Sequence, residues 1–179
     1  MNSILPIIYL IVLFAALIII ILILLKQIFQ KKDLEQNLSE LKKKLRLGIS
    51  TPLDHYSLGV IYLSKKLFDE AILQFSNALK NWDKNDLEGL SNLYNTIGFT
   101  YFESDQFDVS IYYYKEAIEL NPTYTIALNN LAYSYEKKKM FQDAIDVYSK
   151  VLSYDTNNPI ANEKLLSLRT RVKTRDDRI

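Results

Sequence analysis

The chain has 179 residues, enough for one small domain and additional segments, and its formal net charge at pH 7 is +1. It contains no cysteine, which excludes disulfide bonds and cysteine-ligated metal sites. Its single histidine, His55, is not accompanied by an Asp/Glu cluster at metal-ligand spacing, so we interpret it as a packing residue. No cofactor, metal ion or small-molecule substrate is expected.

The charges are unevenly distributed along the chain. Residues 1–50 carry seven basic and three acidic side chains. Residues 51–158 carry nine basic and fifteen acidic side chains, and residues 159–179 carry six basic and three acidic ones. Because phosphate binding requires a cationic face, the acidic central region argues against nucleic acid as a ligand. An enzyme is disfavoured as well, since the sequence does not indicate a polar cleft with perturbed titratable groups.

The first predicted element is an apolar segment of 22 residues, from Ile4 to Leu25, without a charged residue. As a helix it would extend for about 33 Å, enough to cross a hydrocarbon core of about 30 Å. A cleaved signal peptide is disfavoured because no basic residue precedes the segment, the segment is too long, and no small-x-small cleavage site follows it. Residues 1–25 are therefore predicted to form a single transmembrane anchor.

Residues 26–51 are predicted to form a basic juxtamembrane helical stalk or linker. Its lysines and arginine follow the apolar segment, so the positive-inside rule places the C-terminal side in the cytoplasm or an equivalent compartment such as the plastid stroma. Leucines recur at 4-3-4 spacing at Leu34, Leu38, Leu41 and Leu45. Two heptads are short for a coiled coil, so we expect this face to pack on the following domain, with dimerisation as the alternative.

Three copies of one pattern follow in residues 52–158. Small residues recur at Gly59, Gly98 and Ala132, and again at Ala71, Ser110 and Ala144; large aromatic residues recur at Tyr62, Tyr101 and Tyr135, and at Phe75, Tyr114 and Tyr148. The second and third copies are 34 residues apart, which is similar to the tetratricopeptide repeat. The pattern predicts three helical hairpins, about 52–85, 91–124 and 125–158, stacked as an α-solenoid because one hairpin cannot bury its apolar face alone.

An insertion separates the first and second copies, because Gly59 and Gly98 are 39 residues apart. It falls within residues 82–90, and we expect it to lengthen the first helix of the second repeat, with Asn85 or Asp86 as its N-cap. Trp82, the only tryptophan, is interpreted as covering the junction, with contact to a partner as the alternative.

Residues 159–179 are predicted to form a capping helix and a basic tail. Pro159 suits the first position of a helix. One apolar face is formed at 4-3-4 spacing by Ala161, Leu165, Leu168 and Val172. A solenoid requires such a cap because its last repeat would otherwise expose an apolar side. The predicted fold class is therefore all-α: a transmembrane helix, three tetratricopeptide hairpins and a capping helix.

The first helices of tetratricopeptide hairpins line a groove, and repeat positions 2, 5, 9 and 12 would face it. These positions hold Leu53, Tyr56, Val60, Leu63, Asn92, Asn95, Phe99, Phe102, Ile126, Asn129, Tyr133 and Glu136. We expect the asparagines, which share a slot in adjacent repeats at Asn95 and Asn129, to hold the backbone of an extended peptide, and the aromatic residues to supply contact area. The alternative is that some of these aromatics pack against the neighbouring repeat.

A carboxylate clamp of the kind that binds chaperone tails is not indicated. Repeats of that type use Lys and Asn on the first helix, whereas the corresponding positions here hold Tyr56 and Val60. Chaperone C-terminal tails are therefore poor candidates for the ligand.

The order of anchor, basic stalk, three repeats with an insertion after the first, and cap resembles one family. It is similar to the small membrane-anchored tetratricopeptide proteins of cyanobacteria and algal plastid genomes that assist photosystem I assembly. The resemblance implies a non-enzymatic scaffold in the thylakoid membrane, with the repeats in the stroma and photosystem I subunits or assembly intermediates as clients. A bacterial envelope or organelle-import receptor with the same layout is the alternative.

Overall fold

The computed structural model describes the backbone of residues 4–176 and the side chains of residues 8–171. Within these residues the chain forms eight α-helices and no β-strand, so the predicted all-α class is confirmed. The helices belong to two compact units, one ending at Ser50 and one beginning at Thr51.

The first unit consists of one uninterrupted helix, α1 (Ile4–Arg46), of 43 residues. The helix therefore continues without a break from the predicted anchor into the predicted stalk. Among the described helices, α1 is the one that is long and apolar enough to cross a membrane, and its apolar side chains from Ile8 to Leu25 are exposed. It ends before Gly48, whose φ of 68° is the left-handed conformation that favours glycine. Packing of the leucine face stays a prediction.

The second unit is a series of helical hairpins followed by a single helix. Its helices are α2 (Pro52–Ser64), α3 (Phe68–Asn81), α4 (Leu87–Glu103), α5 (Phe107–Leu120), α6 (Thr125–Lys137), α7 (Phe141–Tyr154) and α8 (Pro159–Asp176). Within this unit α2 packs on α3, α4 on α5 and α6 on α7, and each hairpin also contacts the next helix in the chain. This is the predicted solenoid of three hairpins with a capping helix.

Close approach within each hairpin depends on the small residues of its first helix. A Cβ atom added to Gly59 would lie 2.5 Å from the ring of Phe75, and one added to Gly98 would lie 2.8 Å from the ring of Tyr114. Both rings are buried. Since a contact under 3.0 Å requires a neighbour to move, glycine allows helices α2 and α4 to lie directly against the aromatic side chains of their partners.

The three hairpin turns share one backbone geometry. A residue with positive φ follows each first helix: Lys66 at 57°, Asp105 at 60° and Lys139 at 61°. In each turn its N–H and that of the next residue donate to carbonyls in the last turn of the helix, the arrangement of a Schellman motif. The positive-φ residues of successive turns are 39 and 34 residues apart, the same spacings as in the sequence pattern, so the insertion lies between the first and second turns.

The insertion lengthens α4, which has 17 residues, whereas α2 and α6 have 13 each. Asp86 is the N-cap of α4, and its Oδ1 accepts a hydrogen bond from the backbone N–H of Gly89 at 2.8 Å. The predicted extension of this helix and its cap are therefore confirmed, with Asp86 rather than Asn85 in the cap position. The other carboxylate oxygen of Asp86 accepts from Trp82 Nε1 at 3.0 Å.

The capping helix closes the apolar core of the last two hairpins. Ala161, Leu165 and Leu168 are buried and join the cluster that includes Ile145 and Val151. Asn158 caps the helix, because its Oδ1 accepts from the N–H of Ala161 at 3.1 Å. The predicted capping face is confirmed for these three residues, and the side chain of Val172 lies outside the described residues.

Candidate partner-binding face

The predicted groove residues lie on α2, α4 and α6, the first helices of the three hairpins. Those with exposed side chains are Leu53, Val60, Asn92, Phe99, Ile126 and Tyr133; those that are half-buried are Tyr56, Leu63, Asn95, Phe102, Asn129 and Glu136. We call this set the first-helix face. It offers apolar surface that is not covered by the chain, interspersed with amide groups.

Tyr56 joins the first hairpin to the second. Its ring lies 5.8 Å from that of Phe75 and 6.0 Å from that of Trp82, and its hydroxyl is 3.4 Å from Thr96 Oγ1 on α4. The aromatic face of Tyr56 is thus partly used in packing, the alternative considered from the sequence.

The two equivalent asparagines are hydrogen-bonded within the fold. Asn95 Oδ1 accepts from Asn130 Nδ2 at 3.0 Å, which links α4 to α6. Asn129 Nδ2 donates to Asn158 Oδ1 at 3.4 Å. Their shared repeat position therefore has a structural use between neighbouring repeats, and peptide binding by these amides stays a prediction.

A second aromatic pair bridges α4 and α6. The rings of Phe102 and Tyr133 lie 5.2 Å apart. Two ammonium groups of the chain cover the Tyr133 ring, Lys137 at 5.2 Å and Lys164 at 5.1 Å from its centroid. These cation–π contacts stabilise the pair and leave less of its π surface for a ligand.

Glu136 connects the third hairpin to the capping helix. Its Oε1 accepts a hydrogen bond from the hydroxyl of Tyr148 at 2.7 Å, and its Oε2 lies 3.8 Å from Lys164 Nζ on α8. Burial, the hydrogen bond to Glu136 and the charge of Glu136 raise the pKa of Tyr148. The sequence placed Glu136 in the groove, and the structure shows it holding three helices together.

A pocket of about 260 Å³ opens between the first and second hairpins. Its walls are formed by Tyr56, Trp82, Gly89, Asn92, Thr96 and Tyr124. Burial and the nearby Tyr56 raise the pKa of Tyr124, so its hydroxyl stays protonated. Of these residues only Tyr56 and Asn92 were predicted in the groove.

From the sequence, Trp82 is predicted to cover the junction, with partner contact as the alternative. Gly89, Thr96 and Tyr124 are not predicted in the pocket, because the four repeat positions considered assume that each repeat is regular. Tyr124 precedes α6 by one residue and occupies none of the four expected positions. Trp82 comes from the end of the first hairpin, next to the insertion. One feature of the sequence could have indicated the pocket: the only tryptophan lies in the region of the five-residue insertion.

The arrangement can bind a polypeptide through aromatic surface, hydroxyl groups and amides. Among the residues that the structure describes, no group of three His, Cys, Asp or Glu side chains is placed to hold a metal ion. His55 Nδ1 lies 2.9 Å from Gln74 Oε1, and this hydrogen bond joins α2 to α3. The contact agrees with the interpretation of His55 as a packing residue.

Comparison with known proteins identifies the repeat and the relatives. A family model described as TPR repeat matches residues 98–139, and one described as tetratricopeptide repeat matches residues 126–158. The solved structure of MamA superposes with a TM-score of 0.72 at 22% identity, covering 82% of this chain and 83% of MamA. That likeness shows the fold alone.

Several relatives match over most of the chain, including the following two. The ycf37 protein of Guillardia theta is 40% identical over 179 residues, all of both chains. The chloroplastic tetratricopeptide repeat domain-containing protein PYG7 of Arabidopsis thaliana is 31% identical over 92% of this chain, which covers 54% of that protein. The chain therefore belongs to the ycf37 family of tetratricopeptide-repeat proteins.

Proposed function

We propose that this protein is a plastid membrane-anchored scaffold that assists the assembly or stability of photosystem I through protein–protein contacts. The observation that carries the proposal is the covalent linkage of a membrane-spanning helix candidate to a tetratricopeptide array whose first-helix face is exposed. The chloroplast relative supports the plastid location. The resemblance of the whole layout to photosystem I assembly factors supports the choice of client.

The proposed mechanism is tethering. In this mechanism helix α1 holds the array at the thylakoid membrane. The basic residues that follow its apolar part favour a stromal array by the positive-inside rule. Tethering raises the effective concentration of membrane-bound clients at the binding site, so a modest affinity is enough for a client to bind. The array binds and shields exposed client segments and performs no chemistry of its own.

The first-helix face is the proposed client site. Val60 and Phe99 are 39% and 40% exposed, and Asn92 on α4 is also exposed. Interface energy is concentrated in aromatic and apolar contacts surrounded by polar groups. The half-buried residues of the face contribute by holding neighbouring hairpins in register.

A pull-down tests this function. Tagged full-length protein is purified from detergent-solubilised thylakoids, and bound proteins are identified by mass spectrometry. We expect photosystem I subunits or assembly factors with the native chain, and their loss with Phe99→Asp but not with Leu73→Asp, whose position on α3 is also exposed. If neither subunits nor factors are recovered when a known assembly factor recovers its own clients, the proposal fails.

An organelle-import or envelope receptor is the competing function, and the same experiment separates the two. A receptor would recover precursor proteins with targeting segments, whereas an assembly scaffold recovers mature subunits.

A further inference from the structure

The pocket between the first two hairpins is an open cleft, and three of its lining residues are aromatic: Tyr56, Trp82 and Tyr124. The rings of Tyr56 and Trp82 meet edge to face at 72°, with centroids 6.0 Å apart. The remaining wall supplies the hydroxyl of Thr96 and the amide of Asn92. Its volume of about 260 Å³ exceeds the roughly 150 Å³ that holds a benzene ring, so one large side chain fits.

The region of the insertion supplies the tryptophan that lines the pocket, Trp82. Trp82 Nε1 donates to Asp86 Oδ2 at 3.0 Å, which fixes the orientation of the indole. Gly89 leaves room for both side chains, because an added Cβ would meet that carboxylate oxygen and lie 2.9 Å from the indole nitrogen unless they moved. A hydrogen bond from the indole N–H to a carboxylate also draws negative charge onto the ring system.

The electrostatics of the pocket favour a cation. Its lining includes three aromatic residues, a threonine and an asparagine, and the Asp86 carboxylate accepts the hydrogen bond from the indole N–H of Trp82. Residues 82–90, within which the five-residue insertion falls, carry three acidic side chains and one basic one, Lys84. Aromatic rings attract ammonium and guanidinium groups at exposed sites, and more strongly when the cation is desolvated.

The other aromatic pair on this face, Phe102 and Tyr133, contacts cations of the chain itself. Tyr133 is covered by the ammonium groups of Lys137 and Lys164. Among the side chains described, from residue 8 to residue 171, no Lys or Arg lies over the rings of Tyr56, Trp82 or Tyr124. The rings of Tyr133 and of the pocket therefore differ, since the described part of the chain places cations over the first and not over the second.

We propose that the Tyr56–Trp82–Tyr124 pocket binds an arginine or lysine side chain of the client polypeptide. This assignment rests on the proposed scaffold function and specifies the chemistry of the segment that the scaffold recognises. It requires a basic residue in an extended part of the client, where the side chain can enter between α2 and α4 while the backbone follows the first-helix face.

Trp82 provides the measurement, because it is the only tryptophan and forms part of the pocket. Full-length protein in detergent micelles is titrated with a capped Gly-Ser-Arg-Ser-Gly peptide and with the same peptide carrying citrulline, which has the shape of arginine without its charge. Fluorescence and isothermal titration calorimetry both report binding. The arginine peptide should bind roughly two- to thirtyfold more tightly, the range of a cation–π contribution.

A matched pair of variants locates the site. Tyr124→Leu removes one aromatic wall and should weaken the arginine peptide by a similar factor, whereas Tyr154→Leu removes a tyrosine that is 46% exposed on α7 and should leave binding unchanged. Helical content by circular dichroism confirms that both variants fold. Equal affinity for the arginine and citrulline peptides, or an unchanged affinity in Tyr124→Leu, would overturn the assignment.

The outcome is separable from that of the scaffold proposal. If the pocket shows no preference for arginine while the pull-down still recovers photosystem I proteins, the pocket assignment alone is wrong. If the purified chain self-associates and Tyr124→Leu abolishes this association, a basic segment of a second copy is the occupant, and the client assignment is overturned.

Discussion

At the scale of single residues, the hydroxyl of Tyr148 is a clear case of a buried polar group satisfied by a specific partner. The side chain is fully buried, and its hydroxyl donates to Glu136, whose other oxygen faces Lys164. The link joins α6, α7 and α8. Because a buried donor without a partner is costly, the three residues act as one unit in stabilising the end of the array.

The raised pKa of Tyr148 predicts a loss of stability in alkali. Below about pH 10 the tyrosine is protonated in both the folded and unfolded states, so it adds no pH dependence. Above that pH the unfolded chain releases a proton that the folded chain retains, so the free energy of unfolding falls as pH rises. Tyr148→Phe should reduce this slope by up to about 1.4 kcal/mol per pH unit.

Tyr148→Phe should also lower the free energy of unfolding by about 1–3 kcal/mol at pH 7, because it removes a hydrogen bond to a charged group. Urea unfolding of the full chain in non-ionic detergent, followed by Trp82 fluorescence, measures both effects. Tyr154→Phe, at an exposed position on α7, is the control and should change neither value. Parallel pH slopes for the native chain and Tyr148→Phe would contradict the prediction.

At the scale of helices, the capping helix α8 shows which residues hold an element in place. Its buried face is directed into the core shared with α7, while Leu166, two residues from the buried Leu168, is 73% exposed. The helix therefore adds apolar burial on one side only, as a terminal cap must.

Leu168→Ala should lower the free energy of unfolding by about 2–5 kcal/mol, because it leaves a cavity in the core. Leu166→Ala, on the same helix, should change it by less than about 0.5 kcal/mol. The same urea titration compares the two. A similar loss in both variants would show that α8 does not pack as described.

Most helices could be predicted from the sequence, since each follows from repeated residue types: small residues where helices touch, aromatic residues beside them, and Asp86 at a helix start. The hairpin turns were not predictable in the same way. They use Lys66, Asp105 and Lys139 in the left-handed conformation, where glycine or asparagine would have been the recognisable signal.

The candidate site was less accessible to sequence reasoning than the fold. Repeat positions identify which helix face a residue occupies, but not whether its polar group already has a partner. Asn95 bonds to Asn130 in the next repeat, and Tyr124 enters the pocket from outside the repeat positions considered. Both contacts depend on how neighbouring hairpins stack, which a repeat pattern does not encode.

At the scale of the whole molecule, the proposed topology predicts which parts of the chain a protease can reach. In intact thylakoids treated with trypsin from the stromal side, the array from residue 51 onward should be digested, while alkaline carbonate should leave α1 in the membrane. A lumenal thylakoid protein serves as the protected control. Protection of the array would reverse the proposed orientation.

The central claim is that the first-helix face binds photosystem I polypeptides at the membrane. Site-specific crosslinking tests it most directly, because the chain contains no cysteine of its own. Val60→Cys on α2 and Leu73→Cys on α3, both at exposed positions, are labelled with a maleimide photo-crosslinker and incubated with solubilised thylakoids. We predict crosslinks to photosystem I subunits or assembly intermediates from position 60 and far fewer from position 73. Equal labelling from both positions, or crosslinks from position 60 to unrelated proteins alone, would contradict the account.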